Sequence, residues 1–133
     1  MVNTVNNHCM DFHRDGYQDT LDVLTEAGVE YFGTIYPWQE DGYDDLAVKE
    51  IDGIRFGFMG FSYPSESDQK RIANRIKILK EEMGCDVVIV SLHWGRETHT
   101  TPTAGQVAYA KEAINTGADV IWGHHPHVIQ PIH

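Results

Sequence analysis

Apolar residues recur along the chain with two different spacings. A spacing near 3.6 residues predicts helices over residues 17–27, 67–83 and 103–116. Alternating or continuously apolar stretches predict strands over residues 1–6, 29–32, 46–51, 54–61, 86–92 and 118–122, with a further strand from Val128. Because strands and helices alternate, the sequence predicts an α/β fold with a mainly parallel sheet.

Two of the strand segments carry clear local signals. Asp52 and Gly53 separate residues 46–51 from 54–61, and this pair tolerates positive φ at both central positions of a tight turn. A β-hairpin is therefore predicted there. Residues 86–92 are rich in β-branched side chains, as expected of a strand that is buried on both faces. Residues 34–45 are acidic and aromatic, and are predicted to form a loop.

Composition narrows the class of protein. A length of 133 residues, with 41% hydrophobic and 23% charged residues, is ordinary for a single globular domain. The net charge of -10 argues against a nucleic-acid partner, because such proteins usually carry a basic patch. Cys9 and Cys85 match neither a zinc pattern nor a disulfide framework, so free thiols are expected.

Histidine is the unusual component, since the chain has eight and three of them lie within four residues. Asn7-His8, His93 and residues 124–127 each follow a predicted strand. The carboxyl ends of adjacent parallel strands meet at one edge of a sheet, so these side chains are expected to converge. Imidazole nitrogens and an amide oxygen around one point suit a divalent transition metal.

The segment His124-His125-Pro126-His127 is the strongest single indication of metal binding. On an extended backbone side chains alternate, so His125 and His127 would point the same way. Pro126 is expected to favour that extended conformation at His125. Taken alone, His93 is more often structural and Asn7 more often a turn residue. A surface loop is the alternative for the cluster.

These segments resemble the CapA family, the poly-γ-glutamate capsule biosynthesis proteins, a branch of the calcineurin-like metallophosphoesterases. The resemblance rests on Asn6-Asn7-His8 with Asp11, on residues 90–95 and on residues 117–128, and it covers nearly the whole chain. It implies an α/β/β/α sandwich with a mainly parallel sheet and a β-hairpin. It also implies that residues 1–133 form one partial domain, without the family's N-terminal metal motifs and C-terminal strands.

The resemblance further implies roles for individual residues. Asn7 and His93 would be metal ligands, His8 the acid that protonates the leaving oxygen, and Asp11 its orienting partner. The closing motif would supply two more ligands from His124, His125 and His127, with the last two preferred on spacing. The cofactor would be divalent manganese, zinc or iron, bound weakly or not at all by this chain alone.

Other residues near the predicted site have weaker assignments. Glu97 and His99 follow His93 in the same loop and are candidate substitute ligands. Trp94 and Trp122 flank the site and are expected to pack in the core.

Three interpretations of function stay open. The first is a metallophosphoesterase-like hydrolase in capsule synthesis, inactive in this chain alone. The second is a non-catalytic factor of polymer assembly or export, and the third an α/β domain with surface histidines. Capsule polymer or a phosphate-containing small molecule is the expected partner, and exposed sheet edges predict a homodimer. The resemblance suggests an outward-facing protein of the bacterial cell envelope.

Overall fold

The computed structural model describes residues 1–33, 46–64 and 66–132, so the predicted loop over 34–45 lies outside the described residues. Within them the elements are β1 (Val2–Asn3), α1 (His13–Glu26), β2 (Tyr31–Phe32), β3 (Leu46–Ile51), β4 (Ile54–Ser62), α2 (Glu66–Lys77), a π-helical turn (Ile78–Glu82), β5 (Val87–His93), α3 (Ala104–Thr116) and β6 (Val120–His124). The predicted α/β class is confirmed.

The main sheet has the strand order β3-β4-β5-β6 and is mostly parallel. β4, β5 and β6 run parallel, and β3 pairs antiparallel with β4. Asp52 and Gly53 have φ values of 52° and 79°, so the predicted hairpin turn forms. β1 pairs with β2 in a separate two-stranded sheet. The first strand is therefore shorter than residues 1–6, and it lies beside the main sheet rather than in it.

The hydrophobic core lies between one face of the main sheet and the helices α2 and α3. Its fully buried side chains come from β4, β5, α2 and the π-helical turn: Met59, Val88, Val90, Leu92, Ile76 and Leu79. The predicted helix over 67–83 continues from α2 into the wider π turn, closed by a bond of 2.9 Å from Met83 N to Ile78 O. That turn places the adjacent residues Ile78 and Leu79 both in the core.

Other elements also differ from the prediction. α1 begins at His13, four residues early, because polar residues without apolar periodicity form its first turn. β6 begins two residues late and ends at His124, so His124 is part of the strand rather than of the loop after it. Residues 128–132, the described part of the last predicted strand, form no strand. No helix in the described ranges is long and apolar enough to cross a membrane.

The opposite face of the sheet receives the N-terminal segment. Phe32 of β2 packs on Phe58 of β4 with ring centroids 5.6 Å apart. Asn3 lies against Gly60, where an added Cβ would stand only 2.5 Å from Asn3 Oδ1. Glycine at position 60 therefore lets the Asn3 side chain reach the sheet, and this contact holds the loop that follows β1 over the carboxyl ends of the strands.

Candidate metal centre

His93 and His124 meet at the carboxyl ends of β5 and β6. They are register partners in the parallel pair. Their Nδ1 atoms are 2.8 Å apart and their ring centroids 4.7 Å apart. The convergence expected from the sequence is therefore present for these two histidines, and it follows directly from the parallel pairing of the two strands.

Asn7 joins this pair from the loop after β1. Its Oδ1 lies 2.9 Å from His93 Nε2, across 86 residues of sequence. Two ligand atoms that each lie about 2.1 Å from one transition-metal ion, with a ligand–metal–ligand angle near 90°, are themselves about 3 Å apart. The separation of these atoms therefore fits two ligands of a shared ion.

A second group of potential ligands consists of Glu97, His125 and His127. One ligand atom from each lies within 4.8 Å of the others, and within the described ranges no other trio of His, Cys, Asp or Glu does so. Glu97 Oε1 is 3.9 Å from His125 Nε2 and 4.0 Å from His127 Nε2. A carboxylate with two imidazoles suits zinc, iron or manganese.

The backbone around this group is not extended, so the reason predicted for the approach of the two histidines is wrong. His125 and His127 have φ values of 96° and 60°, in the left-handed region. A bond of 2.7 Å from Thr98 N to Pro126 O joins the turn to the loop after β5. Of the six described non-glycine residues with positive φ, four surround the cluster: Tyr63, Thr98, His125 and His127. Strained backbone of this kind concentrates at functional sites.

His125 has the environment most suggestive of a missing ligand. Its ring lies 4.6 Å from that of His93, between the two groups. Nε2 contacts the hydroxyl of Tyr63. Nδ1 is buried and has no hydrogen-bond partner among the described residues. Leaving such an atom unpaired costs about 1–3 kcal/mol, and a bound cation would satisfy it.

Burial and repulsion from neighbouring histidines keep the rings of His93 and His124 neutral. Burial, followed by the charges of His124, His125, His127 and His8, lowers the pKa of His93 to about 4. Burial and the charge of His125 likewise lower the pKa of His124. Neutral imidazoles keep a lone pair, which is what a metal ligand requires. The donor set therefore fits a divalent cation at neutral pH.

His8 and Asp11 form an exposed pair at the rim. His8 Nδ1 is 2.9 Å from Asp11 Oδ2, as the orienting role implied for Asp11 requires. The carboxylate can only accept, so Nδ1 donates and Nε2 remains available to a ligand. An open groove of about 410 Å³ runs beside His8, between the N-terminal segment and α1, and is also lined by Asn6 and Phe12.

Other candidates lie outside the cluster. His99 is exposed and its Nδ1 is 2.8 Å from the backbone oxygen of Glu97. Trp94 is buried against Tyr109, as expected. Trp122 is 67% exposed, so its expected place in the core is wrong.

Sequence reasoning missed three residues that contact the histidines. Tyr63 contacts His125, while Ser91 and Asn3 contact His124. Ser91 had a readable signal, because it is a polar residue inside an otherwise apolar strand.

All of residues 1–133 match the family described as bacterial capsule synthesis protein PGA_cap. The capsule biosynthesis protein CapA of Bacillus anthracis is 30% identical over 146 residues, covering 98% of this chain and 35% of that protein. The PGA biosynthesis protein CapA of Bacillus subtilis (strain 168) is 28% identical over 144 residues, covering 99% of this chain and 38% of that protein.

A probable polyglutamine synthesis accessory protein of Mycobacterium tuberculosis is 26% identical over 155 residues, covering 96% of this chain. The chain spans between 35% and 39% of the length of these relatives. Since the family match extends over every residue, the chain belongs to the PGA_cap family of bacterial capsule synthesis proteins.

Proposed function

We propose that this chain carries a metal-dependent phosphoesterase-type site that serves the synthesis of a poly-γ-glutamate capsule. The observation that carries the proposal is the joining of two ligand groups through the partly unsatisfied ring of His125. The choice of polymer is supported by the names of two relatives, a capsule biosynthesis protein and a PGA biosynthesis protein. The substrate would be the capsule polymer or a phosphate-containing small molecule.

In this proposal two sets of residues hold divalent cations. Asn7 and His93 form one set, with their donor atoms 2.9 Å apart. Glu97, His125 and His127 form the other. Zinc, manganese and iron all suit these donors. Such ions supply Lewis acidity: they lower the pKa of bound water and offset charge on a phosphate ester.

His8 is the proposed acid. The Asp11 carboxylate holds Nδ1, so the proton offered to a ligand is on Nε2. The groove beside His8 has room for a small phosphate ester or a polymer end. A positioned imidazolium that protonates a leaving oxygen typically contributes 10²–10⁴-fold to the rate.

The fold proposed for the domain is part of an α/β/β/α metallophosphoesterase sandwich, represented in residues 1–133 only in part. The support comes from the two faces of the main sheet. α2 and α3 cover the face of Val90 and Leu92. The β1–β2 pair lies on the opposite face, where Phe32 packs on Phe58.

Metal content tests the proposal first. The purified chain is stripped with a chelator, incubated with Zn²⁺ or Mn²⁺, desalted and analysed for its elements. We expect up to two ions per chain, with the ion of the second set lost in the double variant His125→Ala/His127→Ala and reduced by Glu97→Gln. The variant His13→Asn is the matched control, since His13 is exposed on α1 and lies outside both groups. Equal retention by the double variant would contradict the proposed ligands.

Turnover is then measured on a phosphate diester in a protein of the relatives' length that contains this chain. His8→Ala should lower turnover by 10²-fold or more while bound metal stays unchanged. Full activity in that variant would remove His8 from the mechanism.

A second candidate is a non-catalytic role in polymer assembly. The observation in its favour is that Glu97 is the only carboxylate in the ligand group found among the described residues. The relative from Mycobacterium tuberculosis is itself named an accessory protein. For this role, His125→Ala would abolish capsule polymer formation in cells, whereas His8→Ala would leave it unchanged.

A further inference from the structure

A series of four hydrogen bonds connects Asn3 to Asn7 through Ser91, His124 and His93. Its last bond is made by His93 Nε2, the nitrogen that faces the proposed metal. Asn3 Nδ2 is 2.9 Å from Ser91 Oγ, which is 3.1 Å from His124 Nε2. His124 Nδ1 is 2.8 Å from His93 Nδ1, and His93 Nε2 is 2.9 Å from Asn7 Oδ1. The proposed metal sets use only its last link, so the other three need an explanation of their own.

The first of these hydrogen bonds has a fixed direction. Asn3 Oδ1 accepts from Val5 N at 3.0 Å, so the amide nitrogen of Asn3 faces Ser91 and donates to it. The Ser91 hydroxyl proton is then free to donate to His124 Nε2. Asn3 Nδ2 lies 3.4 Å from the same nitrogen as a second donor. Because two potential donors face it, we assign His124 Nε2 as the acceptor in the metal-free chain, where its neutral ring then carries no proton on that nitrogen.

The protonation of the two rings follows from this assignment. A neutral imidazole has one N–H, so His124 carries its proton on Nδ1 and donates to His93 Nδ1. His93 then carries its own proton on Nε2 and donates to the oxygen of Asn7, which can only accept. That proton stands where a cation needs a lone pair.

Binding a cation through His93 Nε2 requires two hydrogen bonds to reverse direction: the one between His93 and His124, and the one between His124 and Ser91. The proton of His93 moves from Nε2 to Nδ1, and the proton of His124 moves from Nδ1 to Nε2. Ser91 Oγ has two lone pairs, so it can accept from both Asn3 and His124 after the reversal. Each ring holds one proton before and after, so the two rings release and take up none overall.

From this geometry we infer that His124 is a positioning residue for His93, held by Ser91 and Asn3, and is not itself a ligand. Both ring nitrogens of His124 are engaged within the protein, whereas His125 Nδ1 has no partner among the described residues. A metal-binding histidine commonly donates its other N–H to a neighbouring acceptor, which for His93 would be His124 Nδ1. Loss of that acceptor typically weakens metal affinity 10–100-fold. The inference rests on the proposed metal site.

Nitrogen-15 NMR of the histidine rings tests the inference, since it distinguishes the two tautomers of each ring. In the metal-free chain we expect the proton on Nε2 of His93 and on Nδ1 of His124. In the chain saturated with diamagnetic Zn²⁺ we expect the proton on Nδ1 of His93 and on Nε2 of His124. A ring that served only in packing would not change tautomer.

Affinity measurements on variants provide the second readout. We expect His124→Phe to weaken Zn²⁺ binding 10–100-fold and His124→Asn to restore part of it, because the amide can hydrogen-bond from nearly the position of Nδ1. Ser91→Ala should retain Zn²⁺ binding but leave His124 with a mixture of tautomers in the metal-free chain. Circular dichroism confirms that each variant is folded.

The outcomes separate the inference from the function on which it rests. Zn²⁺ bound directly to a nitrogen of His124 overturns the inference and leaves the metal site standing. If His93 keeps its Nε2 proton in the Zn²⁺-bound chain, the inference falls together with the set of Asn7 and His93, while the set of Glu97, His125 and His127 is unaffected. Failure of the native chain to bind any Zn²⁺ overturns both.

Discussion

The stability of the metal-free protein should fall as the pH is lowered from 6.5 to 4, because His93 is buried as a neutral ring. Burial and the neighbouring histidines lower its pKa from 6.5 to about 4 in the folded state. Between these values the unfolded chain binds the proton and the folded chain does not. Stability is therefore complete above pH 6.5 and is lost progressively as the pH approaches 4.

The size of this loss follows from the difference between the two pKa values. At 1.36 kcal/mol per pH unit, a fall from 6.5 to about 4 corresponds to roughly 3 kcal/mol. The ring lies at the open end of the sheet, where solvent screens its repulsion from the other histidines, so about 2 kcal/mol is the better expectation. The lowered pKa of His124 acts in the same direction.

Urea unfolding with a chelator present, followed by tryptophan fluorescence, gives the free energy of unfolding at pH 7, 6, 5 and 4.5. Carboxylates also titrate in this range, so the informative quantity is the difference between the native chain and His93→Gln. That variant should start less stable at pH 7 and lose about 2 kcal/mol less on acidification, whereas His13→Asn should follow the native chain. Equal acid losses in native protein and His93→Gln would refute the reasoning.

Three further predictions concern single contacts. Tyr63→Phe frees His125 Nε2 from the tyrosine hydroxyl, so Zn²⁺ affinity by calorimetry should rise about fivefold, near 1 kcal/mol; a fall would make the hydroxyl a supporting contact instead. Thr103→Ala removes the capping box with Gln106 and should lower the free energy of unfolding by about 1 kcal/mol, whereas Thr103→Ser should not. If the β6 edge of the described sheet mediates a homodimer, Trp122→Lys should give a monomer in sedimentation experiments, and an unchanged association state would exclude that edge.

Local signals in the sequence predicted those parts of the fold that depend on neighbouring residues. Asp52-Gly53 predicted the hairpin, because the turn needs positive φ at both positions. Apolar periodicity placed α3 to within one residue, and in the structure Thr103 begins this helix through its own hydroxyl and Gln106. Trp122 was misplaced, because periodicity does not reveal which face of an edge strand is covered.

The candidate site was predictable only as far as strand ends imply proximity. His93 and His124 meet because parallel strands carry them to the same edge. Tyr63 was not predictable, since its ring reaches the cluster from a backbone with φ of 42°. Glu97 was a ligand candidate from its place in the loop after β5, but its approach to His125 in particular depends on contact between two loops 28 residues apart. Such contacts cost loop entropy and leave no local pattern in the sequence.

The hydrogen bond from Thr98 N to Pro126 O explains how three histidines within four residues come to face two different groups of side chains. His124 ends β6, so its ring faces His93 and Ser91 across the strands. After it the chain turns instead of continuing as a strand, and the bond to Pro126 holds that turn against the loop that carries Glu97. His125 and His127 are thereby directed to the carboxylate. In the proposed site, this one short motif would supply a partner for His93 and two ligands beside Glu97.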